Sequence, residues 1–301
     1  MKKLLLTIFL TSTVNAMARE NITITYAWGP GDSVANYHRT IALEANKLQE
    51  KYNFIVEYKP GAGGAIATNH VLKENKNVIL AHSTAFFIRP VVFPNESYDL
   101  TQFKSQYVHC TAPMAVTSSK YKTWAEVPLD KSITVGVSGL GVTTHLAALQ
   151  LQEKFPQINI IPFKSTTDSM LSMVGGQTDF HIGFISESEQ WLKDNKGRTV
   201  NILGITGTKT IKGYQPLINF GFPQTFAQMN VGHHLLVPKT QDEARTKELY
   251  DILRNAAQKE SVKNAYAVDY CEPSIISLSE LNKWFSTMTD YWKKLALLVK
   301  L

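Results

Sequence analysis

The segment FIVEYKPGAGGAIATNHVLKENKNVILAHS, residues 54–83, decides the fold prediction, because two apolar runs enclose a glycine-rich turn and a helical pattern. The runs at 54–60 and 77–83 are rich in β-branched and aromatic residues and predict strands, whereas the apolar spacing across 65–74 predicts a helix. Glycine inside a regular element lowers stability by roughly 0.5–1 kcal/mol relative to alanine, so the glycines at 61–64 belong to a turn. A strand, a helix and a second strand in this order predict a parallel sheet covered by helices.

The same alternation extends in both directions from this segment. Residues 22–28 predict a strand and residues 36–52 a helix, so the first unit runs β-α-β-α-β. A second unit follows, with strands at 133–139, 158–164, 179–185 and 200–206 and helices at 143–155, 167–176 and 186–195. The chain therefore predicts an α/β fold of two lobes, each with a mainly parallel sheet flanked by helices.

The remaining segments set the lobe boundaries. Residues 97–119 predict crossover strands and loops, and two helices are predicted at 241–260 and 277–299. A capping box, Ser277 with Glu280 three residues later, opens the last helix. The resulting division places lobe 1 at 19–118 plus 236–301 and lobe 2 at 119–235.

The N-terminal residues 1–18 have the pattern of a secretory signal peptide. Lys2 and Lys3 precede an apolar run, and Ala16 and Ala18 each end a small-x-small triplet, which leaves two candidate cleavage sites. The run is shorter than the roughly 20 apolar residues that span a bilayer, so export is predicted rather than anchoring. These residues contain two lysines and no acid, so their removal lowers the net charge from +6 to +4.

Composition narrows the function classes. No run of five or more basic residues is present, so nucleic-acid binding is not expected. The histidines have no metal-ligand spacing, and no metal or cofactor is expected. The two cysteines, Cys110 and Cys271, are compatible with a disulfide in an exported protein and with two separate buried thiols.

Three predicted strand-to-helix turns, at 28–36, 59–65 and 137–145, share a glycine-rich composition. The first backbone N–H groups of a helix have no intrahelical acceptor, and the helix dipole adds about half a positive charge, so such turns bind anions. Neither GxGxxG nor GxxxxGK[ST] is present, which favours a small carboxylate over a nucleotide. The ligand contacts predicted in the first and third turns are Trp28, Gly29, Gly31, Asp32, Ser33, Ser138, Gly139, Gly141, Thr143, Thr144 and His145.

Several of these residues have a second interpretation. Core packing is favoured over a ligand contact for Trp28, and a bond with nearby backbone is favoured for His145. Asp32 fits the N-cap of the first helix, and it would repel an anion if it faced a cleft. The turn at 59–65 either contacts the ligand or allows close helix–strand packing. The adjacent histidines 233 and 234 point to opposite faces of a strand, so they are not expected to share a metal ion. One of them is expected to reach the cleft, because this segment lies where the chain returns from lobe 2 to lobe 1.

Three segments together resemble a known family. VEYKPGAGGAIATNHV (56–71), GVSGLGVTTHLAAL (136–149) and IPFKSTTDSMLSMVGGQTDF (161–180) are similar in content and order to the extracytoplasmic solute-binding proteins of tripartite tricarboxylate transporters, the TctC and Bug type. The resemblance runs from about residue 22 to the last predicted helix. It implies a two-lobed periplasmic-binding-protein fold of the Venus-flytrap kind that closes on a small carboxylate.

The resemblance also implies a setting and site residues. A monomeric periplasmic protein would deliver its ligand to membrane transporter subunits, without enzyme activity. Loops 28–33 and 138–144 would hold the acid, and Ser83 would face the cleft. Lys164 would either add charge or lie on the surface. A ligand-binding protein that feeds a sensor kinase, and an exported enzyme acting on a carboxylic acid, are the alternatives.

Two departures from the family pattern bear on the ligand. The first loop carries Pro30 and Asp32 where the family usually has small residues, which places the usual amide cradle in question. Gly183 stands where amino-acid-binding members tend to carry an aspartate for the ligand ammonium. The resemblance therefore implies a di- or tricarboxylate, or an aromatic acid, in preference to an amino acid.

Overall fold

The computed structural model describes residues 18–95, 98–193 and 200–298. The predicted signal peptide lies outside the described residues, apart from Ala18. The strands are β1 (Glu20–Tyr26), β2 (Tyr52–Tyr58), β3 (Val78–Ser83), β4 (Phe103–Ala112), β5 (Met114–Ser118), β6 (Ile133–Val137), β7 (Ile158–Pro162), β8 (Phe180–Phe184), β9 (Asn201–Ile205), β10 (Val231–Pro238) and β11 (Glu272–Pro273). The helices are α1 (Ala35–Leu48), α2 (Ala65–Glu74), α3 (Ala85–Val92), α4 (Thr143–Gln152), α5 (Thr166–Val174), α6 (Ile185–Lys193), α7 (Glu243–Ala257), α8 (Glu260–Val268) and α9 (Leu281–Leu298).

The strands form two mixed sheets. Sheet 1 has the order β11-β4-β10-β3-β1-β2, and sheet 2 has the order β7-β6-β8-β5-β9. In sheet 1, β1 is parallel to β2 and β3, while β10 is antiparallel to β3 and β4. In sheet 2, β6 is parallel to β7 and β8, while β5 is antiparallel to β8 and β9. The predicted α/β fold in two units is confirmed. We call sheet 1 with α1–α3 and α7–α9 lobe 1, and sheet 2 with α4–α6 lobe 2.

Helix α1 shows how the pattern produces the packing. Its buried residues recur at helical spacing on one face, at positions 35, 37, 38, 41, 42 and 45. Such a stripe must be covered by another element. Helices α7 and α8 pack against α1, and α9 packs against α3 and β4. The predicted capping box is present at the start of the last helix, where Ser277 and Glu280 bond each other's backbone.

The chain passes between the sheets at two places. Strand β4 of sheet 1 ends at Ala112, and β5 of sheet 2 begins at Met114, with Pro113 between them. Proline has no N–H to donate, which suits a break between two ladders. The return follows Asn230, where β10 begins. Residues 114–118 therefore pair in sheet 2, and residues 231–235 pair in sheet 1. The sequence-based division places the lobe boundaries after residues 118 and 235. We propose lobe boundaries at Pro113 and Asn230 instead.

The cysteine alternative is resolved by the structure. Cys110 on β4 and Cys271, directly before β11, form a disulfide with a Cα–Cα distance of 5.4 Å. Both residues are buried. The bond joins segments that are 161 residues apart in sequence, and it fixes the end of α8 against sheet 1.

Candidate functional site

A pocket lies between the lobes, where the carboxyl ends of β1, β3, β6 and β8 converge. This is the place where open α/β sheets bind ligands. The lining residues are Tyr26, Trp28, Asp32, Val34, Ser83, Met114, Ser138, Val142, Thr143, Thr144, Thr166, Gly183, Phe184, Val231 and His233. The space open to the centres of water-sized molecules is about 40 Å³. One water needs about 10–15 Å³ by this measure, so the pocket in this form fits a small solute.

The lobes touch each other around this pocket. Thr84 Oγ1 on lobe 1 lies 2.7 Å from Thr143 Oγ1 on lobe 2. Arg89 Nη1 on lobe 1 donates to Leu140 O on lobe 2 at 3.2 Å. The structure therefore has the cleft closed.

A buried carboxylate makes a third bridge. Asp269 on lobe 1 accepts hydrogen bonds from Tyr37 OH of lobe 1 and from Ser186 Oγ of lobe 2. Burial raises the pKa of Asp269, while its bonds to Ser186 and Tyr37 oppose that shift. The segment directly before the disulfide therefore takes part in the contact between the lobes.

The start of α4 supplies the polar wall of lobe 2. Thr144 Oγ1 accepts from Ser138 N at 3.1 Å and lies 3.0 Å from Ser138 Oγ. Thr143 and Thr144 occupy the first turn, where backbone N–H groups have no intrahelical acceptor and the dipole favours an anion. Hydroxyl and amide donors thus converge here, with Ser83 on the facing wall.

The other predicted residues of this loop shape the wall without lining it. Gly139 and Gly141 adopt φ of +132° and +70°, in the region that side chains rarely occupy. His145 Nδ1 accepts from Gly141 N at 3.2 Å, so His145 bonds nearby backbone, which was the second interpretation of this residue. These three residues hold the α4 loop in position.

Replacement of Gly141 by alanine should destabilise the protein by about 1–3 kcal/mol, because alanine must adopt the positive φ of this residue, and it should also disfavour closure of the lobes. A Cβ at Gly141 would lie 2.9 Å from the Phe93 ring of lobe 1. Gly29→Ala is the matched control, because a Cβ there meets nothing within 4 Å and the residue lacks positive φ. Urea unfolding measures the free energy of unfolding of both variants. Equal stability of the two would contradict the conclusion that position 141 requires glycine.

The first loop places only part of its predicted contacts in the pocket. Trp28 and Asp32 line it, while Gly29, Gly31 and Ser33 do not. The Trp28 ring lies 4.8 Å from the His82 ring and is 8% exposed, so Trp28 both packs in the core and forms a pocket wall.

Asp32 is not the N-cap of the first helix. Helix α1 begins at Ala35, and its N-cap position is Val34, without a side-chain cap. The Asp32 side chain instead turns into the pocket, where Oδ2 accepts from Tyr26 OH at 3.4 Å. Burial raises the pKa of Asp32 to about 7, against the opposing effect of the Tyr26 bond.

Gly183 lines the pocket as predicted for a ligand contact, and the surrounding packing leaves no room for a side chain at this position. A Cβ at this position would overlap His181 and would lie 2.7 Å from Glu187 Oε2. Glu187 accepts from Thr166 Oγ1 at 2.6 Å and from Phe184 N at 3.2 Å. Burial and then the charge of Asp32 raise the pKa of Glu187 to about 8. A carboxyl group therefore lies behind this wall, although residue 183 lacks one.

The PGAGG turn packs helix against strand. Gly61, Gly63 and Gly64 all have positive φ, and none of residues 59–65 lines the pocket. A Cβ at Gly64 would lie 2.1 Å from His82 Nε2, so the bare backbone lets α2 approach β3. Lys164 is exposed on lobe 2 and does not line the pocket.

Sequence reasoning missed several lining residues, namely Tyr26, Val34, Met114, Val142, Thr166, Phe184 and Val231. Met114 and Val231 begin the antiparallel strands that follow the two crossings, and no local signal marks such residues as cleft-facing. Thr166 had a signal, because the KSTT turn opens a helix after a strand. His233 lines the pocket while His234 packs against the Phe87 ring at 5.2 Å, as the alternation along a strand predicts.

Two negative findings apply to the described ranges only. Residues 18–95, 98–193 and 200–298 contain no group of three or more His, Cys, Asp or Glu side chains placed to hold a metal ion. Within the same ranges, no helix combines the length and apolar character needed to cross a bilayer.

No family model and no curated protein sequence matches the chain. Solved structures do match. The R. palustris protein Rpa4515 with adipate has 17% identity and a TM-score of 0.80, over 93% of this chain and 97% of that one. MatC from Rhodopseudomonas palustris with bound malate has 16% identity and a TM-score of 0.78, over 92% and 99%. A TctC solute-binding protein from Polaromonas has 19% identity and a TM-score of 0.63, over 93% and 98%. The resemblance seen in the sequence thus extends to the fold, and this chain has the two-lobed α/β fold of the TctC-type periplasmic binding proteins.

Proposed function

We propose that this protein is an extracytoplasmic solute-binding protein of the TctC and Bug type. It captures a small carboxylate between its lobes and delivers it to membrane transporter subunits. The observation that carries this proposal is the closed interlobe pocket at the start of α4, where the hydroxyl-bearing residues Ser138, Thr143 and Thr144 lie at the first helical turn, whose N–H groups have no intrahelical acceptor. Rpa4515 and MatC, which share the fold, were solved with adipate and malate, and this supports a carboxylate ligand.

The setting of this function is part of the same proposal. Residues 1–18 direct export to the periplasm, and the mature protein acts as a monomer without a cofactor. Its task is binding and release rather than catalysis. The donors of the pocket are hydroxyl and backbone groups, which hold an anion without changing it.

Closure is the mechanism of capture. The Thr84–Thr143 contact, the Arg89–Leu140 bond and the Asp269 bridge all join the lobes, so they form only in the closed arrangement. A ligand shifts the population toward that arrangement only if it binds the closed form more tightly than the open one. A carboxylate that touches both walls of the pocket meets this condition.

A thermal-shift screen of small carboxylic acids tests the proposal. Ligand at 100 times its Kd stabilises the native state by about 2.7 kcal/mol, which raises Tm by roughly 5 °C or more for a chain of this size. Thr143→Val keeps the shape and removes the hydroxyl that meets Thr84, so affinity should fall about tenfold. Thr210→Val, at an exposed position, is the matched control and should bind normally. Absence of any shift with the whole acid panel would refute the proposed function.

A further inference from the structure

The pocket holds a carboxyl group without a countercharge. Asp32 is 6% exposed, and its Oδ1 is buried with no hydrogen-bond partner among the described residues. The other oxygen has only the long bond from Tyr26 OH at 3.4 Å. A buried ionised carboxylate with so few partners is costly, and such groups are normally paired with a cation.

No basic side chain among the described residues pairs with the Asp32 carboxyl group. The residues that line the pocket include neither lysine nor arginine. Arg39, close in sequence to Asp32, donates instead to Pro30 O at 3.1 Å and to Tyr58 OH at 3.0 Å. Arg89 reaches across the cleft rim to Leu140 O. Burial lowers the pKa of His233 to about 3, so this lining histidine is neutral near pH 7.

Further acids surround the same side of the pocket. Glu187 lies behind Thr166 and Phe184, and Asp269 bridges the lobes; the charges of Asp32 and Asp269 both act on Glu187. Asp168 and Asp269 act on Asp32 in the same sense. The side of the pocket near Asp32 therefore carries several carboxyl groups, while the lining residues include no lysine or arginine, and this favours a positive ligand group over a second carboxylate.

The two walls of the pocket differ in the ligand groups that they attract. Tyr26, Trp28 and Phe184 line the pocket together with Asp32, and aromatic faces attract an ammonium group. The α4 wall presents hydroxyls and helix N–H groups, which attract a carboxylate. A solute that satisfies both walls carries one charge of each sign.

We infer that the ligand of this protein is zwitterionic: a small amino acid, or a closely similar amine-bearing acid, whose ammonium group pairs with Asp32 while its carboxylate binds at the start of α4. This inference rests on the proposed function and narrows its ligand class. It replaces the expectation of a plain di- or tricarboxylate or an aromatic acid, because that expectation depended on residue 183 alone. Asp32, which lines the pocket, supplies the carboxyl group that residue 183 lacks.

Isothermal titration calorimetry with matched ligand pairs tests the inference. The pairs are propionate and alanine, succinate and aspartate, and glutarate and glutamate, whose members differ by one ammonium group. In at least one pair we expect the amino acid to bind at least tenfold more tightly than the plain acid. Equal or tighter binding of the plain acid in every pair would overturn the inference and leave the proposed function intact. If no acid of either kind binds, the proposed function fails as well.

The variant Asp32→Asn adds a second readout. It keeps the shape and removes the charge, so affinity for the amino acid should fall at least thirtyfold while affinity for the matched plain acid is unchanged or higher. Asp251→Asn, which removes a half-exposed carboxylate paired with Lys247 on α7, should bind like the wild type. An equal loss for both members of a pair would assign Asp32 a structural role instead. The wild-type comparison decides the question even if Asp32→Asn fails to fold.

Discussion

Lowering the pH from 7 to 5 should reduce the free energy of unfolding by about 5 kcal/mol or more, which is much of the stability of an ordinary protein. The cause is a set of buried histidines. Burial lowers the pKa of His82, His109, His181 and His233 to about 3, lowers that of His145 to about 4, and lowers those of His38 and His234 well below their ordinary range.

The sign follows from proton uptake. A histidine with a depressed native pKa stays neutral in the folded protein, while the unfolded chain takes up a proton below about pH 6.5. Its contribution to stability is present above that pH and is lost, at about 1.4 kcal/mol per pH unit, as the pH falls toward the native value. Asp32 and Glu187 act in the opposite sense, because their raised pKa values of about 7 and 8 let the native state bind protons first. Asp269, whose pKa burial also raises, acts in the same sense as these two carboxylates. Seven histidines against three carboxylates still leave a net loss of stability on acidification.

Urea unfolding at pH 7 and pH 5 measures this loss, and His234→Phe identifies its source. Both ring nitrogens of His234 are buried and lack partners among the described residues, and its neighbours include Phe87 at 5.2 Å and Trp284 at 5.4 Å between ring centroids. Phenylalanine suits this setting and takes up no proton in the unfolded chain. The variant should therefore lose about 1.4 kcal/mol less per pH unit below pH 6 than the wild type. Parallel stability curves for the two proteins over pH 5–7 would show that buried histidines do not set the acid sensitivity.

The order of strands and helices was predictable from the sequence because it depends on local patterns. The helix at 65–74 was predicted with the bounds of α2, because the glycines before residue 65 mark its start. In the structure, Asn75 ends this helix in the left-handed conformation. The pairing of β4, β5 and β10 was not predictable in the same way. The chain passes from sheet 1 to sheet 2 between β4 and β5, and it returns at β10. These strands pair antiparallel with partners that lie far away in sequence. Helix α3 was also missed, because Pro90 within it argues against a helix.

The sequence predicted which loops form the site, but it did not predict the direction of each side chain within them. Parallel strands bring their carboxyl ends together, so the loops at 28–33 and 138–144 were expected to meet, and Trp28, Asp32, Ser138, Thr143 and Thr144 do line one pocket. The direction of a side chain within a loop depends on where the next helix begins. Asp32 suited an N-cap by residue type, but α1 begins at Ala35 and leaves the carboxylate in the cleft. Glu187 lies outside any motif, and only the packing around Gly183 brings it behind the pocket wall.

Removal of the Cys110–Cys271 disulfide should reduce the free energy of unfolding by about 3–5 kcal/mol, because the bond closes a long loop in the unfolded chain. The two cysteines are 161 residues apart, a separation at which the loss of chain entropy is large. Strand β11, which follows Cys271, has only two residues in the ladder with β4, so few backbone bonds replace the covalent link. The disulfide also fixes the segment that carries Asp269, which joins Tyr37 to Ser186 across the lobes.

The double variant Cys110→Ala with Cys271→Ala provides the measurement, because both cysteines are buried and a reductant reaches them slowly in the native state. Urea unfolding of the oxidised wild type and of the variant gives the stability difference. The wild type unfolded and refolded in reductant should match the variant to within about 1–2 kcal/mol, the cost of the two small cavities left by alanine. Ligand affinity should also fall in the variant, since the Asp269 contact between the lobes loses its anchor. Equal stability of the oxidised wild type and the double variant would mean that noncovalent packing alone holds the 269–273 segment in place, and both expectations would then be wrong.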